Sequence, residues 1–268
     1  MSHHNECAAA PVGRATRPPP IANRNDRAQP PTPYVVPCTR TGPSVTDQAS
    51  MADRCWVGHT GPMGLYEDRI LPRLIDMVLG TKGYGKLSRR AAAGLEGDIV
   101  EVGFGSGLNV PHYPAEVTTV AAVDPAASAR RLAAQRIAES PVEVTYVGLD
   151  GQDLPLPDAS VDHALSTWTL CTIPDAARAL AEIRRVLRPG GSLHFLEHGR
   201  AEKPSVARWQ DRLTPIQRRV AGGCHLNRSI DALVADAGFD IVHLARFEVA
   251  GPSVFTSMYQ GVATPIPE

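Results

Sequence analysis

The sequence predicts an α/β protein: a doubly wound, mostly parallel sheet with helices on both faces. Three observations lead there. From residue 63 onward, helical and strand patterns alternate, as strand–helix–strand units require. A glycine-rich turn, Gly103-Phe104-Gly105-Ser106-Gly107, follows the first apolar run. The last two apolar runs are joined only by Ala250-Gly251-Pro252, so they have to pair as a hairpin with one strand antiparallel.

Residues 63–80 and 85–94 read as helices, with Leu71, Leu74, Ile75 and Val78 at helical spacing. Ile99-Val100-Glu101-Val102 is a short buried strand, and Val117 to Val123 is a second. Residues 126–139 read as a helix with Arg130, Arg131 and Arg136 outside. Val142 to Val147 alternates as a third strand, and His163 to Ser166 is a short fourth. Residues 175–188 form an amphipathic helix: Ala176, Leu180, Ile183 and Leu187 face one way, with Arg178, Glu182, Arg184 and Arg185 on the other. Pro189-Gly190-Gly191 ends that helix, and Ser192 to Glu197 is the fifth strand. A helix over 228–237 stops at Gly238, and strands follow near 239–247 and 253–263.

The 268 residues give room for one large domain or two small ones, and 43 % hydrophobic with 21 % charged residues is a globular mixture. Twenty-seven basic residues balance 28 acidic ones, which gives no general basic surface for nucleic acid. The most apolar stretch, around Leu71 to Leu79, is cut by Pro72, Arg73 and Asp76, so no membrane span is expected. The N-terminus lacks the pattern of a signal peptide. Five widely spaced cysteines include no C-x-x-C pair, which argues against a disulfide framework or a structural zinc site. The expected compartment is the cytoplasm. Residues 1–50 are proline-rich and lack an apolar face, so they read as a disordered tail; Met51 is an alternative start. Residues 51–268 read as one domain.

The glycine loop carries the chemistry. Glycines let the chain turn sharply and let a ligand approach main-chain atoms. A dinucleotide fingerprint would put glycine at 108, where this chain has Leu108, and no Walker lysine follows. Asp124 ends the second strand, about 20 residues beyond the first glycine, where a carboxylate accepts ribose hydroxyls. Nothing nearby suits a 2′-phosphate. Asp150 follows the third strand, with the backbone of Gly151 and Gln152 placed for an adenine edge.

Together with Leu187-Arg188-Pro189-Gly190-Gly191, these elements resemble class I S-adenosylmethionine-dependent methyltransferases over residues 63–263. The resemblance implies a seven-stranded sheet of order 3-2-1-4-5-7-6 with the seventh strand antiparallel. It places Glu101 near the methionine amino group, Gly103, Gly105 and Gly107 along the methionine and ribose, Asp124 at the ribose and Asp150 at the adenine. Three further segments are similar to the methyltransferase-like proteins that methylate alkyl thiols in animals: Trp168-Thr169-Leu170-Cys171, Glu197-His198, and Gly223-Cys224-His225-Leu226-Asn227-Arg228. Those relatives carry an N-terminal hydrophobic anchor where this chain has a proline-rich segment. They carry cysteine and threonine in the glycine loop where this chain has Phe104 and Ser106. The ubiquinone and menaquinone C-methyltransferases share the general motifs without the Cys-His-Leu-Asn-Arg segment.

Each of these residues also has a structural reading. Asp124 suits a helix cap ahead of Pro125, Asp150 a turn cap, and Asn227 the cap of the helix over 228–237. Gly190 and Gly191 are structural in any case. His198 lies at the carboxyl end of the fifth strand, where α/β sheets place ligands; a solvent-exposed histidine is the rival reading. His194, deeper on the same face, reads as a hydrogen-bonded core residue. Cys171 and Cys224 read as small buried residues, and Trp168 as pocket wall or core. Arg89-Arg90 and Arg218-Arg219 read as solvated helix faces.

A thiol acceptor has to be partly ionised, which His198, His225 or Arg228 favours when close by. His198 and Arg228 are therefore the expected catalytic pair, with no metal. The segment Ser166-Thr167-Trp168-Thr169 lacks the Asn/Asp-Pro-Pro-aromatic motif of base methylation, the paired glutamates of arginine methylation and the acidic ligands of catechol methylation. A small lipophilic acceptor remains, a thiol first. Quinone, phenol or lipid methylation at carbon, oxygen or nitrogen is the alternative, as are nicotinamide-dependent oxidoreduction and cofactor binding without turnover. Peripheral contact with a membrane stays compatible with the sequence; an integral segment does not.

Overall fold

The computed structural model describes residues 70–267. The proline-rich tail over 1–50 and the start of the helix expected at residue 63 lie outside the described residues. The chain runs α1 (Leu71–Leu79), α2 (Lys82–Ala92), β1 (Gly97–Val102), β2 (Val117–Val123), α3 (Ala127–Ala138), β3 (Glu143–Gly148), β4 (Val161–Thr167), α4 (Ala176–Val186), β5 (Leu187–His198), α5 (Pro204–Val220), α6 (Ile230–Asp236), β6 (Phe239–Glu248) and β7 (Ser257–Pro265).

The seven strands lie in the order β3-β2-β1-β4-β5-β7-β6. The pairs β1–β2, β1–β4, β2–β3 and β4–β5 are parallel; β7 runs antiparallel to β5 and β6. The expected order and the terminal hairpin are therefore both present. Helices cover both faces of the interior strand β1, and its last four residues, Ile99 to Val102, are buried. On one face Leu180, Ile183 and Val186 of α4 and Ile230 and Val234 of α6 pack on Val100, Leu193 and Phe195. On the other, Ala91 and Ala92 of α2 and Ala133 of α3 pack on Ile99, Val120, Leu165 and Leu196. The carboxyl ends of the parallel strands β1 to β5 then emerge at one edge of the sheet.

Four expectations need correction. Helix α4 ends at Val186, not at 188, and β5 already begins at Leu187, opposite Val161, so the Pro-Gly-Gly run lies inside the strand. The residue before a proline disfavours the helical basin, which ends the helix early. A 17-residue helix, α5, fills the span between β5 and α6, where no element was assigned; Pro215 inside it disguised the pattern. Arg130 does not point outward: its Nη2 donates to the carbonyls of Asp124 (2.9 Å) and Gly148 (3.4 Å), and its guanidinium lies 4.4 Å over the Tyr146 ring. Arg136 turns inward as well, donating to Asp76 Oδ1 (2.9 Å) and the Ser106 carbonyl (2.7 Å), which ties α1 to the glycine loop. Arg131 is exposed as expected, as are Arg89, Arg90, Arg218 and Arg219. Leu74, Ile75 and Val78, at helical spacing on α1, are 41 %, 43 % and 53 % exposed. Among the described residues no helix is long and apolar enough to cross a membrane.

Candidate active site

The glycine loop is shaped by left-handed backbone. Gly103 (φ 82°) donates its N–H to the Val123 carbonyl (2.9 Å), turning the chain sharply off β1 toward β2. A methyl group there would sit 1.7 Å from Thr169 Oγ1, so only glycine fits. Gly105 (φ 54°) differs: a methyl group there would have open space, with no atom nearer than the Gly103 carbonyl at 3.9 Å. Its backbone is therefore a cradle open to a ligand. Gly107 is also left-handed, at φ 71°.

Three carboxylates stand at the ends of three adjacent strands. Asp124 is buried; Oδ2 accepts the Gly105 N–H (2.7 Å) and Oδ1 the Ala126 N–H (2.8 Å). It thus partly fulfils the capping reading while fixing the loop, although the residue preceding α3 is Ala126, which has no side-chain cap. Burial pushes its carboxyl up, opposed by those two N–H groups and Arg130. Glu101 is wholly buried, accepting Asn109 Nδ2 (2.8 Å) and the Tyr113 hydroxyl. Its carboxyl is raised to about 7, first by burial and further by the nearby Asp124 charge, against those two donors. Tyr113 and Asn109 were not singled out in the sequence; only the fold brings them under Glu101.

Asp150 is half-buried, and Oδ1 accepts both the N–H (2.9 Å) and Nε2 (2.9 Å) of Gln152, a turn cap as the structural reading has it. Gln152 Oε1 in turn accepts the Asp175 N–H at the start of α4 (2.8 Å). Gly151 is buried, and a methyl group on it would press to 2.5 Å from Val102 Cγ1.

The three segments over 168–171, 197–198 and 223–228 assemble into one unit. Glu197, fully buried at the end of β5, accepts Ser166 Oγ (2.9 Å) and the N–H groups of Thr169 (3.1 Å), Leu170 (3.0 Å) and Cys171 (3.2 Å). Its carboxylate thereby builds the turn after β4, at whose start Trp168 is left-handed (φ 59°). Arg228 donates to the carbonyls of Leu170 (2.5 Å), Ile173 (2.7 Å) and Pro174 (3.1 Å), closing the same turn from outside. The His225 N–H reaches the Cys171 carbonyl (2.8 Å). Asn227 caps no helix; its Nδ2 bonds Asp211 (2.9 Å), and Ser229 precedes α6.

His198 is 5 % exposed, which removes the solvent-exposed reading, and neither ring nitrogen has a hydrogen-bond partner among the described residues. The Cys224 thiol lies beside it, outside hydrogen-bond geometry but close enough that the imidazole, with the Cys171 thiol as the larger influence, pulls it down. Cys171 is correspondingly pushed up by Cys224 and by burial. His194 is a core residue as expected, bonded to the Ala91 carbonyl (3.0 Å) and Ser192 Oγ (3.1 Å), and burial pushes it down to about 4.

The open cradle at Gly105, a buried acid at Asp124 and a buried acid at Glu101 fit a ligand carrying a sugar diol and a cationic amine. Arg130, the nearest guanidinium, is committed to carbonyls rather than free for a 2′-phosphate. Residues 100–195 match the family model described as "Methyltransferase domain". This stretch is similar to methyltransferase domains. It holds β1 to most of β5, hence Glu101, the glycine loop, Asp124 and Asp150.

The chain is also similar to curated proteins. The chain is 33 % identical over 150 residues to the thiol S-methyltransferase TMT1B of Rattus norvegicus, covering 54 % of this chain and 61 % of that one. It is 26 % identical over 181 residues to the phosphatidylethanolamine N-methyltransferase of Cereibacter sphaeroides, covering 64 % and 88 %. The match thus spans about three fifths of the thiol methyltransferase's length. Among solved structures, phosphoethanolamine N-methyltransferase 2 of Haemonchus contortus, in complex with S-adenosylhomocysteine, superposes with TM-score 0.60 at 14 % identity, covering 77 % of this chain and 61 % of that one. At that identity the likeness establishes the shared fold.

Proposed function

We propose that this protein transfers a methyl group from S-adenosylmethionine to the sulfur of a small lipophilic thiol. The carrying observation is the assembled unit at the end of β4 and β5, where a buried imidazole with no hydrogen-bond partner among the described residues stands at the end of β5, two strands from β1. The three segments that build it are those that resemble the thiol methyltransferases, and a relative of that name matches at 33 % identity.

S-adenosylmethionine supplies a sulfonium methyl that is already activated for in-line displacement. The protein's residues have to bind, align and exclude water. In this reading Glu101 holds the amino group, Gly103, Gly105 and Gly107 let the backbone approach, Asp124 takes the ribose hydroxyls, and Asp150 with Gly151 and Gln152 borders the adenine. His198 accepts the acceptor's thiol proton, since neither ring nitrogen has a hydrogen-bond partner among the described residues. Arg228 acts as a positioning residue: its guanidinium is spent on three carbonyls, and its charge reaches the acceptor only through the turn it holds. The reaction belongs in the cytoplasm, where the thiols of Cys171 and Cys224 stay reduced.

His198→Ala is expected to lower kcat/KM for an alkyl thiol by about 100-fold at pH 7, the lower end for a lost general base. The deficit shrinks as the pH rises toward the acceptor thiol's own pKa, where it ionises unaided. A methyl-transfer assay across pH with thiol, phenol, quinone and aminophospholipid acceptors checks this. Full turnover by both His198→Ala and Arg228→Ala removes the assignment. Turnover of the amine alone favours the N-methylating relative.

A further inference from the structure

We propose that an apolar slot between α2 and the end of β6 binds the hydrocarbon part of the acceptor, so that the enzyme selects acceptors with an extended alkyl chain. The inference rests on the methyl-transfer reading and deepens it by defining the substrate's other end.

The slot is an open depression of about 450 Å³, within the ordinary range of small-molecule sites; Tyr84, Leu87, Phe247 and Val249 form its apolar wall, with Glu248 and Arg90, the latter 5.6 Å over the Phe247 ring, at its polar side. Two contacts join it to the catalytic end. Tyr84 stands edge-on to Trp168, with ring centroids 5.5 Å apart, and Trp168 begins the turn built by Glu197. Across the sheet, Phe247 is registered with Met258 and Met258 with His198. Cross-strand partners share a face, so Phe247, Met258 and His198 form one row leading from slot to imidazole. The slot and the imidazole therefore share a face of the sheet, with the buried Met258 between them.

Gly83 supports this use. It lies in the first turn of α2 and lines the slot. Glycine inside a helix costs about 1 kcal/mol relative to alanine. Nothing packs against it that explains the glycine: a methyl group there would meet no atom within 4 Å. What Gly83 does provide is an open wall on the slot.

The test uses the full chain with ethanethiol, butanethiol and hexanethiol. Burial of one methylene raises kcat/KM about fourfold, so the wild type is expected to favour hexanethiol over ethanethiol by roughly two orders of magnitude. Gly83→Leu fills the slot, and Val249→Asn makes it polar. Each is expected to cut the hexanethiol-to-ethanethiol ratio at least about tenfold, and Gly83→Leu is not expected to lower the Tm, because leucine favours helix. A second readout is independent of turnover: dansyl-labelled undecanoic acid is expected to brighten on binding the wild type and to lose that response in Gly83→Leu. An unchanged ratio in both variants, or unchanged probe binding in Gly83→Leu, overturns the slot. If no thiol is turned over by any form, the methyl-transfer reading fails, while the probe titration still decides the slot.

Discussion

Glu197→Ala is expected to destabilise the protein by about 3–5 kcal/mol and to abolish turnover with it. The carboxylate is fully buried and satisfies Ser166 Oγ and three consecutive backbone N–H groups of the turn after β4. Alanine removes the acceptor and leaves those donors inside the protein, each at a cost of about 1–3 kcal/mol unless water or a shifted turn relieves it. For a domain of this size the loss is a fall in Tm of about 6–20 °C. Glu197→Gln is isosteric but turns an amide group toward donors, so it is expected to fall between the two. Thermal unfolding of the three forms measures the effect, and a loss below about 1 kcal/mol for alanine contradicts the role.

Glu101→Gln is expected to act in opposite directions on stability and on ligand binding. The folded protein holds the Glu101 carboxyl at about 7, above its unfolded value of 4.5. The native state therefore binds this proton more tightly than the unfolded chain. Stability from this group is complete below pH 4.5 and is lost as pH rises toward 7. A neutral glutamine avoids that loss and is expected to gain up to about 3 kcal/mol at pH 8. In the proposed reading the wild-type carboxylate persists because a bound ammonium requires it, a trade of stability against function. Binding of S-adenosylmethionine then needs the ionised form. Its Kd is expected to weaken about tenfold from pH 8 to pH 6 in the wild type. Glu101→Gln is expected to bind more weakly and with a flat pH dependence. Calorimetry across pH reads both effects, and a parallel pH dependence in wild type and variant refutes the assignment.

Most of the sheet was legible because each strand is a short apolar run between turn residues, and the terminal hairpin followed from the brevity of Ala250-Gly251-Pro252. Glu101, Asp124 and the glycines were legible because their spacing is local to one strand–turn–strand unit. What escaped is long-range. Glu197 acts on N–H groups 26–28 residues away, and backbone donors leave no mark in a sequence. Arg228 looked like a cation for a thiolate, yet it serves carbonyls 54–58 residues distant. Arg130 and Arg136 obeyed the helical period but folded back onto strand ends and loop, since a long arginine stem reaches around its own helix. Helix α5 was hidden by Pro215 and by its sparse buried face of Val206, Ala207, Gln210 and Thr214. The slot exists only once α2 and β6 meet.

The decisive measurement is a calorimetric titration of the wild type and Asp124→Ala with S-adenosylmethionine, and of the wild type with reduced nicotinamide dinucleotide. Asp124 fixes Gly105 through one carboxylate oxygen and faces the open cradle. One S-adenosylmethionine is expected to bind per wild-type chain, with affinity about 100-fold weaker in Asp124→Ala and no heat from the nicotinamide nucleotide. Equal affinity in Asp124→Ala, or heat from the nicotinamide nucleotide instead, would contradict the site.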